Sequence, residues 1–190
     1  VLPYTIQNYL SDQITVPRFS TDAPEFEAAE KAMQQRIDHL MGIKGKRSVD
    51  SIHKELGHIM WEHVGMARTK EGLEEGLKLM KNLRKEFETN LFVPGSKDGL
   101  NVELDKAFRL NDFITMGELI AWDALNRNES CGGHFREEYQ TEDGEAKRDD
   151  QNCFYVSCWE YQGSDDKAPV MYKEPLKYEA IEVKTRNYKN

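Results

Sequence analysis

No apolar run approaches the roughly 18–20 residues that a helix needs to cross a bilayer, so direct membrane insertion is not expected. Val1-Leu2-Pro3-Tyr4 show no charged segment followed by an apolar one, so no secretory leader is visible. Three cysteines among 190 residues are too few, and odd in number, for a disulfide framework, which points to a reducing compartment. A surplus of basic residues is missing as well. The 26 Lys and Arg face 34 Asp and Glu, a net charge of −8, and nucleic acid is set aside as a partner because phosphate binding needs a basic face. Neither Gly-x-Gly-x-x-Gly nor a Walker pattern offers a phosphate cradle. No Ser-His-Asp arrangement can be argued from the sequence, and no catalytic residue is assigned. The chain begins with Val rather than Met, which reads as a fragment or a processed product.

What remains is polar and helical. Hydrophobic residues make up 38% and charged residues 32%, with a mean hydropathy of −0.76. That profile suits a charged surface over a modest core and not a disordered chain. The length fits one domain, or one domain with an appendage.

Four segments carry helical spacing. Asp22-Ala23-Pro24-Glu25 announces the first, with Asp22 and Glu25 as a capping box and Pro24 suited to a first turn. Phe26, Ala29, Met33, Ile37 and Leu40 then share one face, and Gly42 and Gly45 end it. The second starts at Ser48 and carries Val49, Ile52, Leu56, Ile59 or Met60, and Val64, with Gly65 as its stop. The third begins near Thr69 with Leu73, Leu77, Met80, Leu83 and Phe87, beside Gly72 and Gly76, which would let another helix approach closely. The fourth, from about Leu100 to Asn126, is apolar nearly all round, so neighbours are expected on several of its sides.

The expected fold is mainly α: an antiparallel three- or four-helix bundle over 22–127, preceded by a linker at 1–21. A loop, a short β-hairpin and a surface-wrapping tail occupy 128–190. Cys153–Tyr161 reads as a strand that Val170-Met171-Tyr172 pairs with across a turn at 163–166, and Tyr178, Ile181 and Val183 are spaced for lying on a surface.

Three constellations invite chemistry, and each has a plainer reading. Cys131, His134, Cys153 and Cys158 have the residue types of a Cys3His zinc site, but their spacing fits poorly, and buried or half-buried thiols are preferred. Cys131 beside His134 suggests an activated thiol, yet such pairs meet in space and need an orienting third group. Glu55-Leu56-Gly57-His58 has the Glu-x-x-His spacing of di-iron bundles without the second copy those need. His53, His58 and His63 are read as surface or boundary residues. No metal or cofactor ligand is assigned in this chain.

Asn128-Glu129-Ser130-Cys131-Gly132-Gly133-His134-Phe135-Arg136-Glu137-Glu138, followed by Arg148-Asp149-Asp150-Gln151-Asn152, resembles the C-terminal region of the flavoprotein subunit of succinate dehydrogenases and fumarate reductases. The pattern there is Glu-Ser-Arg-Gly-Ala-His-x-Arg-x-Asp, then Arg-Asp-Asp-Glu-Asn-Trp. Upstream, Met60 to Thr69 is similar to that family's Met-x-x-x-Val-Gly-x-x-Arg-Thr stretch. Glu182-Val183-Lys184-Thr185-Arg186-Asn187-Tyr188 resembles the tail of its fumarate reductase and succinate:quinone oxidoreductase branch. The departures are Cys131 for Arg, Gly133 for Ala and Cys153 for Trp.

The resemblance implies a non-catalytic helical domain of a parent enzyme that interconverts succinate and fumarate with FAD held elsewhere in the subunit. It implies packing on the flavin and capping domains of that subunit. An iron–sulfur subunit and a membrane anchor would complete a peripheral complex on the cytoplasmic side of the inner membrane. Asn128, Glu129, His134, Arg136, Arg148 and Asp149 are the candidate inter-domain docking residues, and Arg136→Ala is expected to weaken docking while leaving the bundle folded. The same module of an L-aspartate oxidase and a free-standing helical adaptor are the alternatives.

Overall fold

In a computed structural model, residues 1–18, 20–163 and 167–184 are described. The chain divides into two compact units, Val1–His39 and Leu40–Asn190.

The first unit contains helix α1 (Leu2–Ile14) and most of α2 (Pro24–Gly42). Residues 1–21, read as a linker, thus carry a helix, although α1 buries no side chain. Pro24 takes the first position of α2, as its fixed φ favours. Asp22 accepts instead from the Ser20 hydroxyl at 2.8 Å. The apolar stripe of α2 was expected to face the bundle core, but only Leu40 is buried, and Phe26, Ala29 and Met33 are exposed.

The second unit is built on α3 (Val49–Val64), α4 (Lys70–Asn90) and α5 (Val102–Asn126), each packed on the other two. Ser48 caps α3 by accepting from the Ser51 N–H, Thr69 caps α4 through the Gly72 N–H, and Asn101 caps α5 through the Leu104 N–H. Ile52, Leu56, Leu73, Met80, Leu110 and Ile114 form the centre of the core. Gly76 is buried where α3 crosses α4, and an added Cβ there would lie 2.9 Å from the His63 Cβ.

Two parallel two-residue ladders clamp the helix ends. β1 (Arg47–Ser48) pairs with β3 (Leu91–Phe92). Gly45 is required beside this pair by close approach, since a Cβ would stand 2.0 Å from the Asn90 carbonyl carbon. β2 (Ala67–Arg68) pairs with β4 (Phe135–Arg136), drawing the segment after α5 back to the start of α4. A six-pair antiparallel hairpin joins β5 (Tyr155–Glu160) to β6 (Val170–Pro175). Part of its expected turn, 164–166, and the tail from Thr185 to Asn190 lie outside the described residues.

As expected, α5 has neighbours on several sides, α3, α4 and the hairpin, but one of its faces is left half open. Phe113, Met116 and Ile120 are 47%, 53% and 44% exposed, and their i, i+3, i+7 spacing puts them on one face. The cysteines also differ in part from the reading of buried or half-buried thiols: Cys153 is buried, whereas Cys131 and Cys158 are exposed.

Candidate functional site: the loop that locks two helix ends

A helix leaves its last carbonyls and its first N–H groups without intrahelical partners, and its ends carry opposite partial charges. The C-terminus of α5 and the N-terminus of α4 meet beneath the 127–155 segment, and one ion pair serves both. The Arg136 guanidinium is 2% exposed and donates to the Ala124 and Leu125 carbonyls at 2.9 and 3.2 Å. Its Nε donates to Glu138 at 3.1 Å, and the other Glu138 oxygen accepts from the Lys70 N–H, the first residue of α4. A cation thus sits on the negative end of one helix and a carboxylate on the positive end of the next. Burial pushes the Glu138 carboxyl up, but the hydrogen bonds from Lys70 and Arg136 outweigh it and hold the group below its ordinary range.

Ser130 fixes the backbone of Arg136 from below. Its hydroxyl accepts from the Arg136 N–H at 2.8 Å and donates to the Arg136 carbonyl at 3.0 Å, fully buried. His134 Nε2 lies 2.9 Å from the Arg127 carbonyl, which can only accept, so that nitrogen carries the hydrogen. Burial lowers the affinity of His134 for a second proton, and the nearby Arg68, Arg136 and Arg127 lower it further against the helping carbonyl.

Arg127 extends the lock to the hairpin. It donates to Glu129 at 3.0 Å, to the Cys153 and Tyr155 carbonyls at 3.1 Å each, and stacks over the Tyr155 ring. The other oxygen of buried Glu129 accepts from the Asp149 N–H at 2.9 Å. Asp149 turns its carboxylate to the backbone and side chain of Asn152. Arg148 pairs with Asp150 and donates to the Lys184 carbonyl at 3.1 Å, holding the tail against the loop. Asn128 is exposed.

Of the six candidate docking residues, Glu129 and Arg136 are buried, His134, Arg148 and Asp149 are half-buried, and Asn128 is exposed; the first five hold side-chain hydrogen bonds within the loop, its flanks or the tail. The burial of Arg136 changes the expectation for Arg136→Ala, because its removal would leave two helix carbonyls without their donor and deprive Glu138, still held by the Lys70 N–H, of its cation. Arg127, Ser130 and Glu138 are as central and were not singled out, although Ser130 and Glu138 stand inside the motif and Arg127 directly before it. Arg68 sits across the β2–β4 ladder from Arg136, and its buried Nε has no hydrogen-bond partner among the described residues. Burial and Arg136 disfavour its charge, and Asp123 supports it.

Among the described residues no three His, Cys, Asp or Glu side chains converge as a metal site. The strand-to-helix junctions at Ser48 and Thr69 hold no glycine loop of the kind that seats a dinucleotide phosphate.

Residues 53–188 match the family described as "Fumarate reductase flavoprotein C-term". The fumarate reductase flavoprotein subunit of Helicobacter pylori is 26% identical over 178 residues, covering 94% of this chain and 24% of that protein. A chloroplastic L-aspartate oxidase of Nicotiana tabacum is 34% identical over only 89 residues, 46% of this chain and 13% of that one. A solved quinol-fumarate reductase with menaquinol molecules has the same fold, with a TM-score of 0.72 and 22% identity over 89% of this chain and 28% of that chain. The chain spans about a quarter of the length of the fumarate reductase subunit it matches.

Proposed function

The chain belongs to the fumarate reductase flavoprotein C-terminal family, and from that premise we propose that it is the non-catalytic helical part of a succinate/fumarate oxidoreductase flavoprotein. Its role in this reading is to pack on the flavin and capping domains of the same subunit, where FAD is held. An iron–sulfur subunit and a membrane anchor complete the assembly, on the cytoplasmic side of the inner membrane. Among the described residues no helix is long and apolar enough to cross a membrane, so in this reading the contact with lipid belongs to other chains.

The observation that carries the reading is the uncovered face of α5. Phe113, whose ring stacks on His53, leaves with Met116 and Ile120 a half-exposed apolar stripe, and such a stripe calls for a partner surface. The flavin domain is the occupant proposed here. Asn128, Arg148 and Asp149 are its polar counterparts at the edge of the loop, and Glu129, His134 and Arg136 set the loop's shape from within. The longer extent of the fumarate reductase match, 94% of this chain against 46%, favours the respiratory branch over the L-aspartate oxidase reading.

Cross-linking of the native protein tests the proposal. Lys147 is exposed within the loop. Cross-links from Lys147 to a flavin-bearing segment are the expected result. Cross-links confined to these 190 residues would contradict it.

A further inference from the structure

A cleft of about 480 Å³ opens between α4, α5 and the β5–β6 hairpin, lined by residues other than those of the α5 C-terminal lock. Its size falls in the range of small-molecule sites. Its walls are aromatic: Trp122 of α5, Trp159 of β5 and Tyr161 beyond it line the space, with Leu77 and Leu119. The Trp159 ring is held in place, since its Nε1 donates to Asp123 at 2.8 Å. The inner wall is polar and already satisfied: Arg84 donates to Glu118 at 2.7 Å and to Thr115 at 3.1 Å.

The rim is cationic. Lys78, Lys81 and Lys85 fall at i, i+3 and i+7 along α4, so they stand in a row on one face, and Lys167 faces them from the hairpin side. Of the five basic side chains that line the cleft, Lys78 pairs with Glu75 at 3.0 Å and Arg84 with Glu118 at 2.7 Å, which leaves Lys81, Lys85 and Lys167 against Glu88, in a chain whose net charge is −8. That local reversal of sign around an apolar, aromatic space is a complementary surface for one kind of ligand. An aromatic ring offers its faces to Trp122 and Trp159, and acid groups on the ring meet the lysines.

We propose that this cleft binds an aromatic anion, a planar ring carrying more than one acidic group, with the ring between the indoles and the acid groups on Lys81 and Lys85. The acid groups have two sources, carboxylate and phosphate, and the probes separate them. The site is independent of the docking role proposed above.

Titration of the 190-residue chain with 2,6-naphthalenedicarboxylate and, separately, with 2-naphthyl phosphate, whose ring-borne phosphate has two acidic hydroxyls, tests the proposal by indole N–H NMR. Trp61 is 80% exposed on α3 and does not line the cleft, so it serves as the internal control. The expected result is saturable movement of the Trp122 and Trp159 signals, with Trp61 unmoved, for one or both probes. The double variant Lys81→Glu, Lys85→Glu changes two exposed side chains and is expected to weaken binding about tenfold or more. Lys81→Gln, Lys85→Gln serves if the first variant melts early. Three results would overturn the proposal: neither probe binding below about 1 mM, equal binding of the neutral 2-naphthalenemethanol, or undiminished affinity in the lysine variants.

Discussion

Arg136 shows how much one side chain can be asked to do. It donates to two terminal carbonyls of α5 and to Glu138, while its own backbone is gripped by Ser130. Removing the buried guanidinium leaves the Ala124 and Leu125 carbonyls without a donor under the loop, which costs more than the bonds themselves contributed. Arg136→Ala is therefore expected to destabilise the fold by about 3 kcal/mol. Arg136→Lys should recover less than half, because an ammonium cannot span both carbonyls and the carboxylate. Urea melts of the chain and both variants measure this, and an unchanged midpoint for Arg136→Ala would return the residue to a pure docking role.

His134 supplies the pH dependence at the same scale. Burial disfavours its charged form, so the folded chain takes up its proton at a lower pH than the unfolded chain, where His titrates near 6.5. Between those two values the unfolded state holds more protons, and stability falls as pH falls. Glu138 acts in the same direction further down, since its depressed carboxyl loses its stabilising charge as pH drops through its folded value. A His134→Gln variant keeps a donor for the Arg127 carbonyl and should lose the part of the acid slope just below about pH 6.5. Melting temperatures measured from pH 8 to pH 5 check it, and an unaltered slope in the variant would count against the assignment.

At the scale of elements, capping and close packing set the expectations. Thr69→Ala removes the acceptor for the Gly72 N–H at the start of α4 and should cost about 1 kcal/mol. Gly76→Ala meets the His63 Cβ, which cannot swing aside, and should cost about 1–3 kcal/mol through displacement of α3. Thermal melts of the two variants give both values. These same elements were the ones legible in the sequence. Ser48, Gly65 and Thr69 bounded α3 and α4 because caps and helical periodicity are local, and the hairpin showed through its β-branched and aromatic run. The β1–β3 and β2–β4 ladders were not legible, since two residues carry no period and their partners lie far along the chain. The stripe of α2 misled for a related reason: periodicity says that a face is apolar, not what covers it. In the loop, the motif marked the segment that carries the hydrogen-bond network. The division between buried and surface members, and the parts of Arg127, Ser130 and Glu138, depended on where α5 ended relative to α4.

The whole molecule carries more apolar surface than its own fold covers, and the account assigns that surface to a neighbouring domain. Met116→Gln and Ile120→Gln change exposed side chains on α5 and should shift the stability of this chain by less than about 0.5 kcal/mol. In the native protein the same changes should loosen the helical part, seen as faster proteolysis of residues 102–126. A large stability loss in the isolated chain would mean that the stripe is structural.

The central claim is that these 190 residues work as one part of a flavin-bearing subunit. Antibody capture from the source cells, followed by intact mass and absorbance of the native polypeptide, addresses it most directly. The account predicts a chain several-fold heavier than 22.1 kDa, yellow, and active on fumarate or succinate. A native chain of about 22.1 kDa without flavin would contradict it and leave a free-standing helical module.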